Sequence, residues 1–146
     1  CLEANIAEVP AVAFSQDFDS NSFRQWSEER NLPENLLRQI KSQTEDLLEQ
    51  TFTWLFARPA FFSRAITWNI NFPREAAPDC DLFPSFLGHT WYSSCFKKRG
   101  DRYYHELEPP LEDHRENSDG RIVRSGHVSV TEIDIRSLGQ IGNPDK

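Results

Sequence analysis

The sequence predicts an α+β domain, and three patterns support this class. A helical repeat of apolar residues runs through positions 33–57, and a basic turn at 97–102 lies between two short aromatic segments. Valine and isoleucine then become frequent near the C-terminal end. A length of 146 residues fits one domain. We expect a single domain, 1–146, with a winged-helix-like helical centre at 33–107 and an acidic loop plus β extension at 108–146.

The clearest element is a long helix over residues 33–57. Pro33 suits a first helical turn, and Glu34 is favourable at a helix N-terminus. Apolar residues recur at three- and four-residue steps and predict a face packed on the core. They are Leu36, Leu37, Ile40, Leu47, Leu48, Phe52, Leu55 and Phe56. The helix is expected to end at Arg58-Pro59, because proline disfavours helical conformation in the residue before it.

The segments that follow favour two shorter helices and then a β-hairpin. Ser63 is predicted to cap a helix over residues 64–70, and Asp81 a third helical segment through residue 86. Gly100-Asp101 is a turn signal between a basic segment and Tyr103-Tyr104. The predicted order is therefore a long helix, a short helix, a third element and a basic hairpin. This order is compatible with a winged helix-turn-helix.

The two ends of the chain give weaker patterns. Residues 1–22 are expected to be extended or loose, with Phe23 and Trp26 forming one helical turn that packs on the core. Residues 121–135 predict strands with a bend at Gly126 and a bulge or a second turn near Thr131. Residues 139–146 are expected to be a polar tail.

Charge is distributed unevenly along the chain. The formal net charge is -7, yet residues 52–104 carry seven Arg and Lys against four Asp and Glu. A polyanion would therefore be met by this middle segment. The four cations at 97–102 are able to supply phosphate contacts, and their alternative role is an ordinary solvated loop. No apolar run approaches the roughly 18 residues that span a bilayer, so no membrane span is expected.

The cysteines indicate a reducing compartment. Three cysteines form no dense framework, and no Asn-x-Ser/Thr acceptor occurs. We predict free thiols at Cys80 and Cys95. A Cys80–Cys95 bridge is the alternative, because the sequence does not set the distance between the two residues. The chain begins at Cys1 and contains no methionine, so we expect an excised or processed part of a longer protein.

Enzyme patterns are poorly matched. Pro78-Asp79 with Glu132-Ile133-Asp134 partly fits the PD-(D/E)xK nuclease pattern, but Asp134 stands where that pattern has lysine. The four histidines and three cysteines lack zinc-site spacing such as a C-x-x-C pair, and no protease signature surrounds Cys95. We therefore expect no enzymatic activity, no metal and no cofactor.

One family resemblance is carried by residues 55–66, which read LFARPAFFSRAI and are followed by Asn69-Ile70. This segment resembles the "LF-x-x-RP-aromatic-SR-x-A" signature of the DNA-binding subunit of the tau A lobe of transcription factor IIIC. Leu82-Phe83-Pro84, Gly88 with Trp91, and residues 98–104 are similar to later elements of that family. The resemblance covers residues 35–107, and its Asp-Pro-Arg element is reduced here to Asp101-Arg102.

The resemblance implies a winged-helix domain that binds duplex DNA in the nucleus, beside other transcription factor IIIC subunits, and helps to recruit RNA polymerase III. The candidate DNA-binding residues are Arg58, Arg64, Lys97, Lys98, Arg99 and Arg102. For Arg58 a structural ion pair is the alternative. The acidic stretch 106–119 either competes with DNA for the basic turn or serves solubility. The alternative function is a protein-interaction module of a larger assembly that binds no nucleic acid.

Overall fold

The structure is a computed structural model that describes residues 1–89, 96–105 and 113–137. The helices are α1 Leu2–Ile6, α2 Ser20–Glu29, α3 Glu34–Phe56, α4 Ala60–Ser63 and α5 Asp119–Arg124. The strands are β1 Ala11–Gln16, β2 Thr67–Phe72, β3 Leu82–Ser85, β4 Phe96–Arg99, β5 Arg102–His105 and β6 Val128–Ile133. A 3-10 turn, Ile135–Ser137, follows β6. The α+β class is therefore confirmed.

The main sheet has four strands in the order β1-β2-β6-β3. β1 runs parallel to β2, β2 antiparallel to β6, and β3 parallel to β6. Ile70 and Val130 face each other at its centre. Because side chains alternate across a strand, Trp68, Ile70 and Phe72 lie on one face of β2. All three are buried, as are Val128 and Val130 on the same face.

Helix α3 covers this apolar face. Its residues Leu47, Thr51 and Leu55 are four apart, share one side of the helix and are buried. Leu47 and Leu55 belong to the same buried cluster as the sheet residues. The cluster comprises Leu47, Leu55, Phe61, Ile66, Trp68, Ile70, Phe72, Leu82, Val128 and Val130. The long predicted helix is thus confirmed, and it contributes Leu47 and Leu55 to the core beside the sheet.

The opposite face of the sheet is polar. The Ser15 hydroxyl donates to Asn71 Oδ1 at 2.5 Å, and Asn71 Nδ2 donates to Ser129 Oγ at 2.9 Å. Further along, the hydroxyls of Ser85 and Thr131 are 2.6 Å apart. Hydrogen bonds between small polar side chains therefore link neighbouring strands, which satisfies polar groups such as fully buried Ser129.

Two of the predicted helices are wrong, because residues 67–72 and 82–85 are the strands β2 and β3. Ser63 does not cap a following helix: it ends α4, and its hydroxyl donates to the Pro59 carbonyl at 3.2 Å. The physical reason is the two-residue alternation of Trp68, Ile70 and Phe72, which suits a sheet that pairs on both sides. The helical centre is therefore α3 with the one-turn α4, without the second and third helices of a winged helix.

The N-terminal end is more ordered than the sequence suggested. Residues 1–22 were expected to be extended or loose; the edge strand β1 is extended, whereas α1 is a helix that was not expected. A helix at Phe23 and Trp26 is confirmed as α2, where Asp19 caps the N-terminus by accepting from the Asn21 and Ser22 amides. The expected core packing of the two rings is wrong, since Phe23 is 56% exposed and Trp26 is 45% exposed.

The C-terminal half of the described chain also departs from expectation. Residues 121–124 belong to α5, not to a strand, and Gly126 makes the turn into β6 with a φ of 87°. A Cβ at Gly126 would lie 2.9 Å from the Ala77 amide nitrogen, so this turn needs glycine. No bulge interrupts the pairing of β6 with β2 between Ser129 and Ile133.

One of the two predicted free thiols, Cys80, lies among the described residues. Cys80 is a free, half-buried thiol, and burial raises its pKa. Cys95 lies outside the described residues, so its predicted free state stays a prediction.

Within the ranges that the structure describes, no helix combines the length and the apolar character needed to cross a membrane.

Candidate nucleic-acid interface

The predicted basic hairpin is confirmed as strands β4 and β5, which pair with each other in a separate two-stranded sheet. A two-residue loop, Gly100-Asp101, joins them, and Gly100 has a φ of 64°. Glycine at the first position of such a loop favours the tight turns that match strand twist. A Cβ placed on Gly100 would meet nothing within 4 Å, so the tip of the hairpin faces open space.

The strand register sorts the side chains of the hairpin onto two faces. Lys97 lies opposite Tyr104, and Arg99 lies opposite Arg102. Directly opposed residues share a face, so these four form what we call the cationic face. Lys98 lies opposite Tyr103 and shares the other face with Phe96, and we call those three residues the aromatic face.

Electrostatics make the cationic face a place for anions. Residues 96–105 contain four Lys and Arg and a single carboxylate, Asp101. Arg99 and Arg102 oppose each other, and like charges opposed in this way destabilise a pair of strands. The Arg99 guanidinium carbon lies 5.7 Å from the centre of the Tyr104 ring, within range of a cation–π contact.

Both faces of the hairpin are open to solvent. Tyr103 is 67% exposed and Phe96 58% exposed on the aromatic face, and Tyr104 is 46% exposed on the cationic face. A two-stranded hairpin is at best marginally stable in water unless an apolar face is packed. The large rings are nevertheless left exposed here, which is the arrangement of a contact surface.

Arg58 and Arg64 occupy a different neighbourhood from the hairpin cations. The Arg58 guanidinium carbon lies 3.2 Å from the centre of the Trp54 ring, so its contact is a stack and not the ion pair considered from the sequence. Arg64 Nη1 donates to Glu132 Oε2 at 2.6 Å. Arg58 and Glu132 both line a cavity of about 260 Å³ beside Trp68. Both arginines thus have structural contacts where the end of α3 meets the sheet.

The described part of the acidic stretch is anchored close to Gly88. The Asp113 carboxylate accepts from the His89 amide at 2.9 Å, and Asp119 Oδ1 accepts from the Gly88 amide at 2.9 Å. The Arg115 guanidinium lies 2.5 Å from Asp113 and 4.8 Å from the centre of the Phe86 ring. We call residues 113–119 the acidic clamp. Its two aspartates accept from the amides at residues 88–89, while residues 106–112 lie outside the described ranges. Whether the stretch competes with DNA or serves solubility stays as the sequence left it.

The carboxyl of Asp113 is held ionised. The hydrogen bonds from the Arg115 side chain, then from the His89 amide, keep its pKa well below the usual range. A folded-state pKa below the unfolded value means that the stabilisation is complete above the unfolded pKa. It is lost progressively as the pH falls below the unfolded pKa towards the folded value.

We therefore expect Asp113→Asn to reduce the loss of stability in acid. Between about pH 7 and about pH 3, the urea midpoint should fall less in this variant than in the parent protein, because the linked proton is no longer bound on unfolding. Glu116→Gln is the matched control, since Glu116 is exposed and lies in the same clamp. Equal pH dependence in Asp113→Asn and the parent would contradict the role assigned to the clamp.

The residues of the partial nuclease pattern are not brought together. Asp79 lies in the loop before β3, whose first residue pairs with Val128 at the start of β6. Glu132 lies near the other end of β6, where it pairs with Trp68 and binds Arg64. Across the described ranges, no group of three or more His, Cys, Asp or Glu side chains is placed to hold a metal ion.

Sequence reasoning missed an exposed aromatic ridge on α3. Phe52 and Phe56 were expected in the core, but they are 36% and 56% exposed. Phe56 stacks on Phe62 at 5.8 Å, and Phe52 lies 5.6 Å from Phe14. The available signal was the width of the apolar stripe, because Leu47, Thr51 and Leu55 already fill one side of the helix.

A second apolar surface is a groove of about 600 Å³ between α2 and α3. Its lining includes Phe23 and Trp26 from α2, with Leu37 and Ile40 from α3. Leu32 lies in the same groove and is buried. The exposed rings of α2 therefore line this groove and do not lie in the closed core that the sequence predicted.

A scan against protein-family models found no match to this chain, and a search of curated proteins found none either. The function proposed below therefore depends on the geometry of the described residues and on the sequence resemblance.

Proposed function

We propose that this chain is a DNA-binding module that contacts duplex DNA through the cationic face of its β4–β5 hairpin. The observation that carries the proposal is the register, which gathers Lys97, Arg99 and Arg102 on one face of an exposed ribbon. The major groove of B-DNA admits a two-stranded β-ribbon. Cations on such a ribbon reach phosphate oxygens and release the counterions held by DNA.

Only part of the predicted site belongs to this interface. Lys98 lies on the same hairpin but on the other face, where it supplies charge without sharing the surface of Lys97. Arg58 and Arg64 are engaged by Trp54 and Glu132, and we assign them to the support of the fold. The net charge of -7 opposes the approach to DNA and predicts a moderate affinity. The phosphate contacts make that affinity depend on salt.

A finer proposal adds a location and partners. The module would act in the nucleus as part of an RNA polymerase III transcription factor, beside other transcription factor IIIC subunits. The support for this finer proposal is the resemblance of residues 55–66. In the family that this segment resembles, a helix ends at the Arg-Pro pair and the Ser-Arg pair opens the next helix. Here α3 ends at Phe56, just before Arg58-Pro59, but strand β2 follows Ser63-Arg64 in place of a helix. A non-catalytic role is part of the same proposal. The proposal of DNA binding does not depend on this finer assignment.

A protein-interaction module is the second candidate, and the aromatic ridge on α3 favours it. Phe56 and Phe62 form a stacked pair with exposed fractions of 56% and 67%. Exposed apolar patches of this kind mark interaction sites on many proteins. This candidate requires no role for the hairpin cations.

Binding of duplex DNA measured by fluorescence anisotropy at several salt concentrations separates the two candidates. Each phosphate contact should contribute about -0.9 to the slope of log K against log salt. Three cations on the cationic face therefore predict a slope of about -3. Absence of duplex binding at about 50 mM salt, where phosphate contacts are strong, would contradict the DNA-binding proposal and favour the protein-interaction module.

A further inference from the structure

We propose that the aromatic face of the hairpin, formed by Phe96, Lys98 and Tyr103, stacks on unpaired bases, so that the chain also binds single-stranded DNA. This inference rests on the proposed function and names a second form of nucleic acid for the same hairpin. The two faces of one ribbon would then divide the task, with phosphates on the cationic face and bases on the aromatic face.

The register provides the geometry of a stacking platform. Tyr103 is paired with Lys98, and Phe96 is the residue two before Lys98 on the same strand, so the two rings lie diagonally on one face. Diagonal neighbours across two strands are about 7–8 Å apart, which is within reach of aromatic side chains. Two rings in this relation offer flat surfaces to successive bases on one strand.

The exposure of the two rings favours a ligand whose own ring faces are free to stack. Tyr103 is 67% exposed and Phe96 is 58% exposed, so both rings present surface to solvent. In a duplex the base faces are occupied by neighbouring bases, and phosphates and groove edges are what a protein meets. An unpaired strand presents its base faces, and proteins that bind such strands combine aromatic platforms with cations that follow the backbone.

The position of Lys98 completes the arrangement. It lies beside both rings on the aromatic face, while Lys97 and Arg99 lie on the face behind it. A base stacked on Tyr103 would therefore bring its phosphate close to the Lys98 ammonium. Base stacking with this kind of charge contact is tolerant of sequence, since every base has a flat face.

The test compares an oligothymidylate, which cannot pair with itself, with a duplex of the same length in fluorescence anisotropy titrations. Tyr103→Val removes the ring and keeps a residue with high strand propensity. It should weaken binding of the oligothymidylate about 10-fold, which is within the range of one base–aromatic stack. Duplex binding should change less than about twofold, because the cationic face is retained.

Two control variants make the result specific. Tyr103→Phe keeps the ring and should retain affinity for the oligothymidylate. Phe62→Leu removes an equally exposed ring, at 67%, from α4 and should leave binding unchanged. Circular dichroism of Tyr103→Val that matches the parent protein would show that the fold is retained.

The outcomes separate this inference from the proposed function. Duplex binding without any binding of oligothymidylate would overturn the inference and leave the proposed function standing. Equal loss of both DNA forms in Tyr103→Val would also overturn it, because the ring would then serve the hairpin and not the bases. Failure of the parent protein to bind either form would overturn the inference and the proposed function together.

Discussion

Replacing Leu55 by alanine should lower the free energy of unfolding by about 3 kcal/mol, which lies within the range for buried leucines. Leu55 has no exposed surface and lies in the cluster that joins α3 to the sheet. The truncated side chain loses the free energy of burying its methyl and methylene groups, and a cavity remains because the strands beneath it are paired on both sides. Urea denaturation followed by circular dichroism measures the change.

Leu37→Ala is the matched control for this change. Leu37 is on the same helix and is 46% exposed, so the same substitution should cost much less than Leu55→Ala. An equal cost at the two positions would mean that α3 presents a different side to the sheet. The slope of unfolding against urea should stay the same, which shows that the denatured state has not changed.

The long helix could be predicted because its signals are local and agree with one another. Apolar spacing, an acidic first turn and the Arg58-Pro59 stop all fall within one continuous stretch. The hairpin was found for the same reason, since a glycine-containing turn and its two short flanking strands occupy about ten consecutive residues. Local patterns of this kind do not require knowledge of the tertiary fold.

Strand β2 was missed because its end signals were misleading. Ser63 and Pro73 resemble a helix start and a helix stop, yet the six residues of β2 alternate between buried apolar and polar side chains. Asn69 and Asn71 lower strand propensity, but they lie on the polar face of the sheet, where Asn71 bonds to Ser15 and Ser129. Pairing with two neighbours overrides the local preference.

The site shows the same division between local and distant information. The cations of the hairpin could be found from sequence, whereas their sorting into two faces follows from the register. The engagement of Arg64 by Glu132 could not be predicted, because it depends on β2 pairing with β6. The acidic clamp is equally non-local, since Asp113 and Asp119 reach back to the amides at residues 88–89.

Neutralising the four hairpin cations should abolish most duplex binding. With Lys97, Lys98, Arg99 and Arg102 all changed to glutamine, we expect affinity at about 50 mM salt to fall about 100-fold. The slope of log K against log salt should become shallower by about 0.9 for each lost phosphate contact. The hairpin itself should remain folded, because the change removes the like-charge opposition of Arg99 and Arg102.

A matched variant separates a local effect from a change in net charge. Arg24, Arg30, Arg38 and Lys41 are exposed on or beside α2 and α3, and changing all four to glutamine alters the formal charge by the same amount. If the cationic face binds the duplex, this control should keep most of the affinity and nearly the whole salt slope, since long-range charge alone mainly affects the rate of encounter. Equal losses in the two variants would show that DNA responds to the overall charge of the chain and not to the hairpin. The comparison is most stringent at low salt. At 0.1 M, charges more than about 10 Å from the DNA are already largely screened, so the control variant would lose little affinity under either explanation.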